Sequence, residues 1–229
     1  MSRFENYTLS STRDLLYRVY GWMGAGLTLS GATAWAVSQS PTILKFLFTN
    51  PFILLIIFAA EMGMIFMIQS AVNKMNSFQA ATYFTAFSIL NGLTLSSIFI
   101  IYTLTSIAST FAIAATMFAT MAIYGYFTNS DLSSMRSYLM MGIFGLIVAL
   151  FVNMLLQSSQ FNFIISIAGV IVLTLMAAYD MQKIKQIAQQ MSGTGASLDA
   201  IAISCALSLY LDFINLFLYL LRLFGKRRE

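Results

Sequence analysis

The sequence predicts an all-α membrane protein of seven transmembrane helices, and three observations carry that prediction. Hydrophobic residues make up 59% of the 229 residues and charged residues only 9%, against about 25% charged in an ordinary soluble domain. The chain divides into apolar runs of the ~20 residues that a helix needs to cross a bilayer. No run sustains a period-two alternation, and each exceeds the ~9–11 residues of a barrel strand, so a sheet is disfavoured. The length fits a single domain, residues 1–229.

The first run, Leu16–Ser38, follows an N-terminal tail at residues 1–15. Met1–Thr12 is polar and no small-residue cleavage site follows the apolar run, so it reads as a span and not as a signal peptide. Pro41 and Pro51 bracket TILKFLFTN in the first break, and the second span is Phe52–Val72. Lys74–Ser77 separates it from the third, Gln79–Tyr102. Thr103–Ser106, with no charge, glycine or proline, precedes the fourth, Ile107–Phe127. Thr128–Asp131 opens the break before the fifth, Tyr138–Gln157. Ser158–Gln160 leads into the sixth, Phe161–Met181, and Ser192–Gly195 marks the break before the seventh, Leu198–Leu223. A basic tail, residues 224–229, ends the chain.

Lysine and arginine near span ends set orientation, because cytoplasmic loops carry the excess. Arg3, Arg13, Arg18, Lys74, Arg136, Lys183 and Lys185 share the side of the N-terminus, against Lys45 on the other. The N-terminus is therefore expected in the cytoplasm. Arg222, Lys226, Arg227 and Arg228 conflict with this rule if the seventh run crosses fully; a re-entrant last segment would remove the conflict. The net charge of +4 fits the cytoplasmic rim and anionic lipid. The basic residues are scattered with no stacking platform among them, so no nucleic-acid partner is expected.

Much chemistry is excluded by counting. The chain has no histidine, which removes His-based triads, most zinc sites and the usual near-neutral proton switch. Cys205 is the single cysteine, so there is no disulfide framework. No phosphate-cradling glycine loop is present, no catalytic residue and no cofactor are expected, and the chain reads as no enzyme. What remains is a set of acids. Ionisable residues inside spans are rare and usually face the bundle interior or a watery cavity. Glu61, Asp180 and Asp212 are such residues. Asp180 has Lys183 three residues on, on the same helix face. Asp212 has Ser208 and Asn215 as same-face neighbours, and Glu61 shares its span with Gln69 and Asn73, with Asn91 available from the facing span. Glu61, Asn91, Ser208 and Asn215 are accordingly candidates for an ion pathway.

AAYDMQKIK (Ala177–Lys185) followed by ALSLYLDFINLFLYLLRLFG (Ala206–Gly225) resembles the signature of the Bax inhibitor-1 family. GLTLSSIF (Gly92–Phe99) is similar to that family's third-span motif, and RVYGWM (Arg18–Met23) to the start of its bacterial members. The resemblance implies a seven-helix fold with the last helix central, in the bacterial inner membrane. It implies a pH-sensitive calcium leak whose sensor is the pair Asp180 and Asp212. It also implies a second possibility, a non-conducting regulator that restrains a membrane-bound ATP-dependent protease. Some members carry a basic residue in the second span that exchanges with the pair; here none occurs before Lys74.

The chemistry of such a pair follows from electrostatics. Two carboxylates ~4 Å apart at an effective dielectric of ~20 repel by about 4 kcal/mol, so their protons leave in coupled steps. With one shared proton the pair is a hydrogen bond; with none it repels itself and attracts cations. Asp180 and Asp212 could thus hold Ca²⁺ weakly and transiently, Ca²⁺ being the permeant ion and not a cofactor. A proton-coupled transporter would use the same acids. An intramembrane aspartyl protease would need GxGD at the second aspartate and a later Pro-Ala-Leu segment, whereas here the site reads LYLD and no proline follows Pro51.

Overall fold

Helices account for every regular element in the computed structural model, which describes residues 3–191 and 198–228. In chain order they are α1 (Arg3–Ser38), α2 (Pro41–Thr49), α3 (Pro51–Asn73), α4 (Ser77–Ile101), α5 (Leu104–Phe127), a 3₁₀ turn (Ser133–Met135), α6 (Arg136–Leu156), α7 (Ser159–Met191) and α8 (Leu198–Phe224). Among the described residues, six stretches are helical, long and apolar enough to cross a membrane: α3, α4, α5, Ser133–Leu156, Ser159–Gln190 and α8. They contain the second to seventh expected spans to within a residue or two at most ends. The first expected span lies inside α1, which is not one of the six: Gly21, Gly24, Gly26, Thr28, Ser30, Gly31 and Thr33 interrupt its apolar run. α1 also begins at Arg3 and so takes in residues expected as a tail.

Local chemistry explains the boundaries. The stretch between the two prolines, expected as a plain break, is the nine-residue helix α2. Ser40 caps it by accepting from the Ile43 amide, Pro41 supplies the preset φ of a first helical residue, and Asn50 and Pro51 repeat the device to start α3. The uncharged break at residues 103–106 narrows to Tyr102 and Thr103, because the Thr103 hydroxyl accepts from the Ser106 amide and starts α5 at once. α6 ends on Gln157 in the left-handed conformation (φ 50°) without a glycine to ease it. α7 runs ten residues past the expected Met181, since Met181, Ile184 and Ala188 keep an apolar stripe at helical spacing and are buried. The Ser192–Gly195 break lies outside the described residues.

The chain forms two compact units, with α8 contributing its first part to one and its second part to the other. In the first unit, α4 packs against α1 and α3. Phe84 and Phe87 of α4 meet the ring of Tyr210 edge-on, and Val37, Leu47 and Ile57 join α1, α2 and α3 in a smaller cluster. Arg18 of α1 forms an ion pair with Asp199 at the start of α8, and the Arg228 amide donates to the Ile101 carbonyl. A Cβ on Gly92 would lie 2.7 Å from the Ser30 carbonyl oxygen, so glycine there permits α1 and α4 to touch through their backbones.

In the second unit, Phe213 and Phe217 of α8 pack edge-on against Phe111 of α5, and Phe213 also meets Phe118. Gln182 of α7 fixes the connection before α6 by accepting from the Leu132 amide and donating to the Ser130 carbonyl, both at 2.8 Å. At the two ends of α5 the partners differ. Thr103 donates to the Lys226 carbonyl and Ser106 Oγ accepts from the Lys226 amide, both at 3.0 Å, whereas Lys185 Nζ donates to the Tyr126 carbonyl at 2.8 Å. The basic tail therefore sits one helix length, about 36 Å at 1.5 Å per residue, from Lys185. α8 runs through and does not turn back to the lysine end.

Burial sorts the helices as a membrane would. In α3 and the Ser133–Leu156 stretch only 11% of the most apolar window is buried, and Phe52, Phe58, Phe66, Phe144, Phe151 and Leu155 stand exposed. Such a display of large apolar side chains is at home in lipid. α8 is the most buried of the six at 67%. A Cβ on Gly125 of α5 would overlap the backbone of Ala178 in α7, while one on Gly145 of α6 would meet nothing within 4 Å. Gly125→Ala is accordingly expected to destabilise by about 1–3 kcal/mol through overpacking, and Gly145→Ala to stabilise by about 0.5–1 kcal/mol. Thermal unfolding of the detergent-solubilised variants checks both signs.

Candidate functional site

The small residues that bring α5 onto α7 surround the first acid. Ala177, Ala178, Tyr179, Asp180, Met181 and Gln182 form an unbroken buried run, so Asp180 is carried inward by its helix and not left at an interface. Asp212 lies in the second-unit part of α8, buried with Phe213 and Ile214. The two buried carboxyl groups lie close enough to act on each other directly. An ionised carboxylate can only accept, so a carboxyl–carboxyl hydrogen bond requires one proton on the pair. Lys183 is exposed yet close enough to act on Asp180 electrostatically. Asp212 Oδ2 is buried with no hydrogen-bond partner among the described residues.

The companions expected for Asp212 do not join it. Asn215 is exposed and donates to its own helix's Leu211 carbonyl at 2.8 Å. Ser208 is half-buried on the part of α8 that belongs to the first unit. Among the described residues no three of His, Cys, Asp or Glu converge to hold a metal. Two carboxylates are a small part of the ~6–8 oxygens that Ca²⁺ takes. Outside the membrane-length helices, the Ser133 amide donates to Asp131 at 2.9 Å and holds that carboxyl below the usual carboxylate range. Asp131 therefore stays charged at neutral pH and keeps capping the turn before α6.

Glu61 belongs to a separate polar cluster in the first unit. Glu61 is 6% exposed and accepts from Thr94 Oγ1 at 2.8 Å, with the Asn91 side chain beside its carboxylate. Tyr210 Oη donates to Asn91 Oδ1 at 2.9 Å and lies 2.6 Å from Ser30 Oγ, which reaches the Ser88 carbonyl at 2.7 Å. Eight residues along α3, Gln69 accepts from Ser204 of α8 at 3.3 Å. The structure thus brings Glu61 and Asn91 together, as the sequence suggested, and adds Thr94, Tyr210 and Ser30, which sequence reasoning missed. Two of those sat inside quoted motifs: Tyr210 in LYLDFIN, two residues before Asp212, and Thr94 in GLTLSSIF.

A family model described as inhibitor of apoptosis-promoting Bax1 matches residues 12–229. The chain is 42% identical over 212 residues to the inner membrane protein YbhL of Escherichia coli, covering 92% of this chain and 91% of that one. It is 44% identical over 214 residues to an uncharacterized protein of Borreliella burgdorferi, covering 93% and 92%. An uncharacterized protein of Rickettsia prowazekii is 39% identical over 217 residues.

The closeness of the two carboxyl groups predicts a pH-dependent stability. Asp212→Asn supplies a donor that needs no proton, so it is expected to keep the link to Asp180 and to show less pH dependence of unfolding than wild type across roughly pH 5 to 8. Wild type should weaken relative to it as pH rises, because removing the shared proton leaves two anions in contact. Asp212→Leu leaves Asp180 buried without its partner and is expected to cost about 1–3 kcal/mol. Thermal scans in detergent across that pH range read all three.

Proposed function

The chain belongs to the Bax inhibitor-1 family, and from that premise we propose a pH-sensitive cation pathway, a calcium leak, whose gate is the pair Asp180 and Asp212. The observation that carries the proposal is the closeness of two buried carboxyl groups, Asp180 on α7 and Asp212 on α8, which act on each other directly. While one proton is shared, α7 and α8 are tied at that point. When it leaves, the carboxylates repel and present two negative charges to a cation in a poorly solvated setting, where charge acts strongly. Calcium enters this reading as the ion moved. The pair alone offers too few oxygens for tight storage, and a leak needs a site weak enough to leave.

The proposal takes α1 as a seventh crossing, less apolar than the others, and the bacterial inner membrane as the location, in keeping with the name of the Escherichia coli relative. The N-terminus is put in the cytoplasm because the sequence assigns Arg3, Arg13, Arg18, Lys74, Arg136, Lys183 and Lys185 to its side. The basic tail, held at the other end of α5 from Lys185, then faces away from the cytoplasm.

Calcium flux into liposomes holding purified protein tests this, with wild type, Asp180→Asn and Asp212→Asn compared across roughly pH 5 to 8. The expected outcome is flux above empty liposomes whose pH dependence is flattened in both variants. Wild-type flux equal to empty liposomes would overturn the pathway and favour a non-conducting regulator acting on a membrane-bound ATP-dependent protease. Flux with unaltered pH dependence in both variants would keep the pathway and discard the pair as its sensor.

A further inference from the structure

Glu61 and the chain Asn91–Tyr210–Ser30 are not used by the gate. We propose that they form a second proton-binding site, in which the protonation of Glu61 is relayed through the side chains of Asn91 and Tyr210 to Ser30. The cluster draws on α1 (Ser30), α3 (Glu61), α4 (Ser88, Asn91, Thr94) and α8 (Tyr210), and every link lies in the first unit. Buried carboxylates normally meet a cation. Among the described residues no lysine or arginine lies within salt-bridge distance of Glu61. The side chains facing it are Asn91 and Thr94 on α4 and Tyr210 on α8, and of these Tyr210 alone titrates.

Counting protons shows why a proton is the ligand that fits. With Glu61 ionised, Thr94 donates to Oε1, the Asn91 N–H donates to the carboxylate, and Tyr210 donates to Asn91 Oδ1. Every arrow then points at the negative charge. With Glu61 protonated, its O–H becomes a donor and needs an acceptor. A half-turn of the Asn91 amide exchanges its oxygen and nitrogen, so that Glu61 donates to Asn91 Oδ1 and the Asn91 N–H donates to Tyr210 Oη. The Tyr210 proton swings to Ser30 Oγ, 2.6 Å away, whose own proton rests on the Ser88 carbonyl oxygen at 2.7 Å or on the Gly26 carbonyl oxygen of its own helix at 2.9 Å. Each hydroxyl uses its one proton once in either arrangement, and one proton from solvent separates the two. The same heavy-atom positions therefore serve both states.

This site uses none of the residues of the aspartate pair and does not depend on whether the chain conducts ions. Its test uses the full chain carrying Asp180→Asn and Asp212→Asn, so that the pair contributes no carboxyl signal. Infrared difference spectra are recorded on reconstituted protein titrated over roughly pH 4 to 9, a range that brackets carboxyl titration. A protonated-carboxyl band should fade with rising pH, together with a change in the tyrosine ring mode. Adding Glu61→Gln should remove both, and adding Tyr210→Phe should remove the tyrosine change. Thr94→Val takes a donor from the ionised form and should move the midpoint upward by about one pH unit, while Thr94→Ser keeps the hydroxyl and should leave it in place. No Glu61-dependent carboxyl band, or a band that titrates with no tyrosine response, overturns the proposal. A midpoint unmoved by Thr94→Val overturns it as well, in a variant whose isosteric side chain keeps the fold.

Discussion

A bilayer core offers no water to hydrogen-bond with, so each polar group carried into it must find its partner within the protein. Most of what is polar in these helices obeys that constraint locally. Thr28, Thr82, Thr85, Ser88, Thr116, Thr120, Ser166 and Thr174 all donate to the carbonyl four residues back on their own helices. A hydroxyl satisfied in this way is neutral to its surroundings and can face lipid. Carboxylates have no such local solution, because an ionised carboxylate cannot donate to its own backbone. Asp180, Asp212 and Glu61 must therefore be satisfied between helices, and their demands select which helices come together there.

Close packing makes those meetings possible. Glycine at 125 removes the side chain that would keep α5 from the Ala177–Ala178 turn of α7, the turn that carries Asp180 inward. Glycine at 92 does the same for α4 against α1, one residue from Asn91, and puts the Ser30 hydroxyl within reach of α4. In each unit, a glycine lets two helices touch beside a polar side chain that is carried inward. The aromatic rings around Tyr210 and Phe213 then fill the remaining space edge-on, an arrangement that suits their quadrupoles.

The sequence makes the spans from α3 to α8 legible because length and apolar character are properties of each segment alone. It makes the acids legible for the same reason: a carboxylate inside LYLDFIN or AAYDMQ stands out against its neighbours. α2 is hidden because nine residues between two prolines look like a loop until Ser40 and Asn50 are seen as caps. Ser30, Thr94 and Tyr210 are hidden for a deeper reason. A hydroxyl in an apolar helix is ordinarily bonded to its own backbone, as Ser30 is to the Gly26 carbonyl, and only tertiary packing shows that Ser30 also reaches Ser88 and Tyr210 and that Thr94 and Tyr210 turn to other helices. The failed companions of Asp212 teach the converse, since Asn215 had the right helical spacing but chose the Leu211 carbonyl.

The attachment of Lys226 has a consequence for how this end of the chain tolerates change. It is held by its carbonyl and amide, to Thr103 and Ser106, while its side chain is exposed. Any residue other than proline brings the same amide and carbonyl. Position and charge are thus separable here: the main chain anchors the end of the protein, and the side chain is free to be acidic, basic or neutral as the adjoining membrane surface requires. A clasp made of backbone fixes an address without dictating what is written there.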